Sequence, residues 1–251
     1  MTATTTARPP ARAAVLDRAP AMRLAAEEYR RFTDLLRELD AEDWSRPTDC
    51  PAWDVRAMAG HVLGMAQMVA SVRGLAGQNV ASARAGGGID ALTAVQVRRT
   101  SGLSAEQVVA QLDSIGPRAV RGRRRFATVL GRAVLPETQE VGGQRERWRF
   151  GFLVDVVLTR DTWMHRTDVA RATGRDLHLT PGHDGVVVAD VVAEWAARHG
   201  RPYRLRLTGP AGGSWSAGTD GDELELDAVE FCRVLSGRGR GEGLLAQQVP
   251  F

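Results

Sequence analysis

Apolar residues recur at three- and four-residue steps in four separate stretches of the first 174 positions. That period dictates helices packed on one another rather than a sheet. Between Arg23 and Leu39 the stripe is Leu24, Ala25, Tyr29, Phe32, Leu35, Leu36 and Leu39, one face of an amphipathic helix. Pro47 and Pro51 interrupt the segment from Trp44 to Trp53, and Asp54 stands where an N-cap opens a second helix, from about Val55 to Val72. A third helix starts at Ser104, where Gln107 completes a capping box and Val108, Leu112 and Ile115 form the apolar stripe; Gly116-Pro117 is expected to kink or end it. The fourth spans 147 to 172, apolar from Phe150 to Leu158 and stopped by Gly174. The Gly, Ala and Ser of residues 74 to 90 predict a loop, and the arginine-dense stretch 121 to 125 predicts a solvated face.

Beyond residue 174 the pattern changes. A helix from Asp184 to Arg198 precedes short alternating segments, Tyr203 to Leu207 and Glu223 to Leu226, between Gly-rich turns; a helix from Ala228 to Leu235 and a Gly/Arg-rich tail follow. The fold class is therefore α+β: a four-helix bundle over 21–174 and a small C-terminal α/β domain over 180–251, with the boundary near residues 174 to 182. Residues 1–20, rich in Ala, Thr, Pro and Arg, lack the apolar run of a signal peptide and predict a disordered leader. No stretch approaches the roughly 18 apolar residues of a membrane span, and Cys50 and Cys232 are too few for a disulfide framework. The expectation is a cytoplasmic protein without a membrane partner. All 33 basic side chains are arginine, but 30 acidic residues reduce the net charge to +3, too small an excess to make nucleic acid a default partner.

The chemistry is carried by three residues. Asp161 and His165 are four apart on the fourth helix, about 40° apart around its axis, so both project from one face. His61 lies beside the stripe of Met58, Val62, Met65 and Val69 and points toward the bundle interior. Two imidazoles and a carboxylate suit Zn²⁺ or another borderline divalent ion and leave a coordination position open. By residue type alone the same set also suits a surface pair and a hydrogen-bonded core histidine. Asp168 reads as a helix-end residue that can also orient a ligand. His178, His183 and His199 read as surface residues, and Trp44 and Trp53 as packing for the corner between the first two helices. The glycine- and arginine-rich stretch 237–243 lacks the lysine and hydroxyl residue of a phosphate loop.

The run Trp44-Ser45-Arg46-Pro47-Thr48-Asp49-Cys50-Pro51-Ala52-Trp53-Asp54-Val55-Arg56, ending at Gly60-His61-Val62-Leu63-Gly64, resembles the N-terminal signature of the mycothiol-dependent maleylpyruvate isomerase family, within the DinB-like superfamily of metal-binding four-helix bundles. Trp163-Met164-His165-Arg166-Thr167-Asp168 is similar to that family's second ligand helix, and Phe231-Cys232-Arg233-Val234-Leu235-Ser236-Gly237-Arg238 with the Val249-Pro250-Phe251 ending extends the match over nearly the whole chain. The resemblance implies a DinB-like bundle in which His61 and His165 are zinc ligands, joined by the residue four before His165. That residue is typically glutamate in the family and is Asp161 here, one methylene shorter. It also implies a C-terminal active-site arginine at Arg238, which both acts in catalysis and holds a cofactor or substrate carboxylate, with Arg240 a lower-ranked neighbour. Neither cysteine adjoins the ligands in sequence, so the resemblance names mycothiol as the thiol cofactor. The expected activity is isomerisation or S-transfer on a small electrophilic or unsaturated, carboxylate-bearing molecule. The alternatives are a metal hydrolase or lyase using metal-bound water, and a non-catalytic binding or regulatory module on the same fold; the sequence leaves the oligomeric state open.

Overall fold

The computed structural model of the protein describes residues 10–251. Four long helical segments form the bundle: α1 (Arg18–Arg37), α2 (Val55–Val69), α5 (Ala105–Leu130) and a composite of α6 (Phe150–Phe152), a π turn (Leu153–Val157) and α7 (Leu158–Thr173). Their apolar stripes meet in a core that includes Phe32, Leu36, Met58, Leu63 and Leu112. The Ser104–Gln107 capping box opens α5, and Asp54 caps α2 by accepting the Ala57 N–H. The helix α5 runs unbroken through Pro117, contrary to the expected kink or stop. Pro117 and Asp113, whose carbonyl loses its donor, lie on the exposed side of α5, while the opposite side packs along α1 and α2, where a Cβ on Gly116 would stand 3.4 Å from Tyr29.

Residues 74–90 are not a loop. They belong to α3 (Val72–Arg84) and α4 (Gly88–Thr100), joined at Gly86–Gly88, all three at positive φ. The small residues that read as a loop instead allow close approach. A Cβ on Gly74 would lie 2.4 Å from the Gln67 carbonyl oxygen, and one on Gly64 2.6 Å from Gln96 Cβ, so α3 and α4 press on α2. Of the expected leader, residues 1–9 lie outside the described residues, whereas Arg12 exchanges backbone hydrogen bonds with Arg147 and Arg149, and α1 already starts at Arg18. Ala14 and Leu16 pack against apolar clusters, which is what orders this strip.

After Gly174, in the left-handed conformation, α8 (Asp184–His199) and α9 (Ala228–Leu235) cover one face of a three-stranded sheet. Its order is β4 (Gly213–Ala217), β3 (Tyr203–Thr208), β5 (Asp222–Asp227), with β3 antiparallel to β4 and parallel to β5. The strand β4 and the small hairpin of β1 (Gln139–Val141) and β2 (Gln144–Glu146) were hidden by Gly, Ser and Gln. The inward side chains Tyr203, Leu205 and Leu207 join Trp195, Phe231 and Leu235 in a second core, which Trp163 and Met164 of α7 enter from the bundle side. The class is α+β, as expected. No helix among the described residues is long and apolar enough to cross a membrane.

A buried ionic cluster ties the two cores together. Arg166 on α7 donates through Nε to Glu28 on α1 (2.7 Å) and through Nη2 to Asp184 at the start of α8 (2.6 Å). His183, expected on the surface, is buried with Nε2 2.6 Å from Glu28 Oε2, because a carboxylate sealed in the core recruits the nearest polar group. Trp163 Nε1 and Arg31 complete the shell of Asp184. His199 is also not a free surface group; it stacks on Trp195 at 4.3 Å, while His178 is exposed. Arg166→Ala strands two buried carboxylates, and loss of one partner of such a group costs about 3–5 kcal/mol. Denaturant unfolding monitored by circular dichroism is expected to show a loss of that size; a loss below about 1 kcal/mol removes the cluster from its stated role.

Candidate metal centre

His61 and His165 are both buried, and their rings meet edge to face at 5.2 Å. His61 is placed by α2, whose Gly60 and Gly64 lie so close to α4 that a Cβ on Gly60 would come 2.4 Å from Thr100 Oγ1. Asp161, one turn before His165 on α7, sits between the imidazoles. Its Oδ2 is 3.4 Å from His61 Nε2 and its Oδ1 3.5 Å from His165 Nε2. Both separations are long for a hydrogen bond, and Oδ2 has no hydrogen-bond partner among the described residues. One ligand atom from each of the three residues lies within 4.8 Å of the others. Two imidazole nitrogens and a carboxylate, converging without bonding one another well, form a donor set that fits a divalent cation of the zinc type. The shorter Asp161 still stands almost equally far from both imidazoles.

Burial opposes the charge on Asp161, but the two imidazoles outweigh it and hold the carboxyl well below its usual range. Burial likewise opposes protonation of His165, yet Asp161 and then Asp168 prevail and raise it to about 9. Asp168 is not the helix-end residue expected. It is wholly buried, faces His165 Nδ1 at 3.3 Å and receives Arg238 through Nε (2.8 Å) and Nη2 (2.6 Å). Arg238 thus reaches the centre from the C-terminal unit, while Arg240 lies in solvent beside Glu242. The Arg238 pairing with Asp168 uses Nε and Nη2; Nη1 takes no part in it.

Two further residues join the site that sequence reasoning did not place there. Trp53 lies over both imidazoles, 4.9 Å from His61 and 5.8 Å from His165, besides packing the corner. Trp44 alone is pure core. Cys50, remote from the ligands in sequence, has Sγ 3.6 Å from Arg238 Nη2 and within 4.8 Å of His165 and Asp168 ligand atoms. Burial raises its thiol, and Arg238 offsets this only in part. Both residues lie in the run 44–56, which turns back on itself just before α2 through the Thr48 N–H on the Trp53 oxygen and the Val55 N–H on the Arg46 oxygen. A further cluster, Glu28, His183 and Asp184, is already saturated by Arg166, Arg31 and Trp163.

Fold and site together define an α+β protein built on a helical bundle, with a buried two-histidine, one-carboxylate centre overlooked by an arginine from its C-terminal unit. The family model described as the mycothiol maleylpyruvate isomerase N-terminal domain matches residues 25–170, more than half of the chain, and the chain belongs to that family. No curated protein matches it. Among solved structures, the mycothiol-dependent maleylpyruvate isomerase is similar at a TM-score of 0.55 and 15% identity, covering 89% of this chain and 90% of that one. A histidine-to-alanine mutant of that enzyme is similar at 0.52 and 14%, with the same coverage. At these identities the likeness is one of fold.

The raised His165 has a sign that can be checked. Its contribution to stability is fully present below its ordinary value near 6.5 and is lost as pH rises through about 9. NMR titration of metal-free protein is expected to place His165 near 9, and Asp168→Asn, which removes one of the two carboxylates facing it, is expected to move it downward. A His165 that titrates at its ordinary value in the parent protein contradicts this electrostatic picture.

Proposed function

We propose that this chain is a metal- and thiol-dependent enzyme, an isomerase or S-transferase that uses mycothiol on a small electrophilic or unsaturated substrate bearing a carboxylate. The observation that carries this reading is the convergence of His61, Asp161 and His165 beneath Arg238. Family membership supports the thiol, and the likeness to solved structures of the mycothiol-dependent maleylpyruvate isomerase supports the reaction class. In this reading the 21–174 bundle supplies the metal ligands, and the 180–251 unit supplies the arginine.

His61 and His165 would hold a zinc or similar ion through Nε2, with Asp161 as third ligand. When bound, that ion supplies positive charge that favours the thiolate form of a thiol, the nucleophilic form. The remaining work falls to the chain's own groups. Asp168 orients His165 through Nδ1 and at the same time fixes Arg238, so the metal ligand and the anion-binding group share one buried anchor. Arg238 offers Nη1 to a carboxylate, a charge-assisted contact suited to a planar guanidinium. Trp53 covers the imidazoles and limits water access to them. Cys50 lies beside Arg238 but with a raised thiol, which leaves the nucleophilic role to the cofactor.

Elemental analysis of metal-replete protein is expected to find about one divalent ion per chain, lost in His165→Ala. Turnover of a panel of cis-unsaturated and electrophilic acids is expected only when mycothiol is added; turnover indifferent to any thiol points instead to metal-bound water as nucleophile. Arg238→Ala is expected to stay folded and metal-loaded and to lose about 1.5–3 kcal/mol of transition-state stabilisation, roughly ten- to a hundredfold in catalytic efficiency. Lysine at that position is expected to restore only part, and undiminished turnover in the alanine variant takes Arg238 out of the site.

A further inference from the structure

The stretch 121–125 is not a uniformly solvated face. Arg123 is 0% exposed, and no carboxylate among the described residues pairs with it. A buried guanidinium without a salt bridge is costly to keep, so its contacts say what it does. Arg123 donates through Nε to the Val154 carbonyl oxygen and through Nη2 to Thr159 Oγ1, both at 2.6 Å. The Val154 acceptor lies within the π turn Leu153–Val157 and the Thr159 acceptor two residues past its end; in the turn the Leu158 N–H reaches back five residues to the Leu153 oxygen instead of four to Val154. The Val154 oxygen, released from the helix ladder by that turn, is the one that Arg123 satisfies.

A residue inserted in this way rotates everything downstream by about 100° relative to an unbroken α-helix. Asp161 stands two positions after Thr159, and His165 one turn further. The upstream end is fixed separately, by the Phe150 N–H on the Ala133 oxygen and the Gly151 N–H on the Gly131 oxygen. The residue before Arg123 performs a matching task on the other ligand helix: a Cβ on Gly122 would come 1.9 Å from the Val69 oxygen, so α5 lies in contact with the end of α2, which carries His61. Adjacent positions of one helix therefore touch both ligand-bearing helices.

We propose, on the metal-holding role given above to His61, Asp161 and His165, that Arg123 is a positioning residue that keeps the π turn open and thereby sets the rotation of α7 that brings Asp161 and His165 to face His61. In Arg123→Met the apolar replacement suits the site, and Val154 regains its ordinary partner, the Leu158 N–H, once the turn closes to α-helix. The crystal structure of the metal-free variant is expected to show residues 153–157 as α-helix, and zinc affinity measured by chelator competition is expected to fall about 10- to 100-fold while circular dichroism stays that of the parent. Thr159→Val removes one of the two arms without removing a charge and is expected to weaken zinc in the same direction but less. A π turn unchanged in Arg123→Met, or zinc affinity within about twofold of the parent, overturns the proposal. If Arg123→Met does not fold, Thr159→Val decides: parent-like zinc affinity there overturns it. A parent protein that binds no zinc removes the metal-holding role, while the state of the π turn in Arg123→Met still decides whether Arg123 sets the helix.

Discussion

Helix α7 is held by guanidinium groups on every side, and the candidate centre depends on that bracing. Arg123 grips the turn before it from α5, Arg160 binds Asp190 and Glu194 on α8 and the Pro250 carbonyl, Arg166 joins Glu28 on α1 to Asp184, and Arg238 meets Asp168 from the C-terminal unit. Each guanidinium spends two or more of its planar donors on fixed acceptors, so each constrains direction as well as distance. A lysine offers a point charge on a flexible stem and would fix neither. The chain contains no lysine, so every permanently charged side-chain cation available to its interior is of the kind that can brace a helix in this way. The cost of burying these charges is offset by these directed hydrogen bonds rather than by apolar packing.

That bracing explains which parts of the fold were legible in the sequence. The stripe of α1, the Ser104 capping box and the alternation of β3 are local patterns, and each appears where local physics puts it. The π turn has no local signature, because the group that satisfies it comes from Arg123, 31 residues earlier. Residues 74–90, which hold most of α3 and the start of α4, suggest a loop because small residues lack an apolar stripe, whereas their smallness serves contact with α2, a tertiary property. The arginine-rich 121–125 stretch looks solvated by composition, and only the neighbouring helices reveal which arginine turns inward.

The candidate site was legible to a similar depth. His61, Asp161 and His165 follow from helical spacing, and Arg238 from the Ser-Gly-Arg wording. Asp168 was visible one turn beyond His165, but its two-sided role was not, since it requires the C-terminal unit to dock against α7. Cys50 lies in the recognised run without an assigned place and Trp53 with only a corner-packing one, because a turn that folds back over a helix N-terminus leaves no periodic trace.

The short side chain of Asp161 bears on whether one carboxylate can reach both imidazoles. A carboxylate one methylene shorter than glutamate loses reach, and on a rigid helix it would be expected to favour His165, four residues away, over His61 on another helix. The observed separations, 3.5 Å to His165 and 3.4 Å to His61, show no such bias. Equal reach to both imidazoles requires α7 to stand close to α2 at this level and to be turned so that position 161 faces the gap rather than either partner. Position of the backbone therefore replaces length of the side chain. The contacts that fix that position lie outside the centre, at Val154, Thr159, Asp168 and Asp184, so selection for the three donors alone would not preserve it.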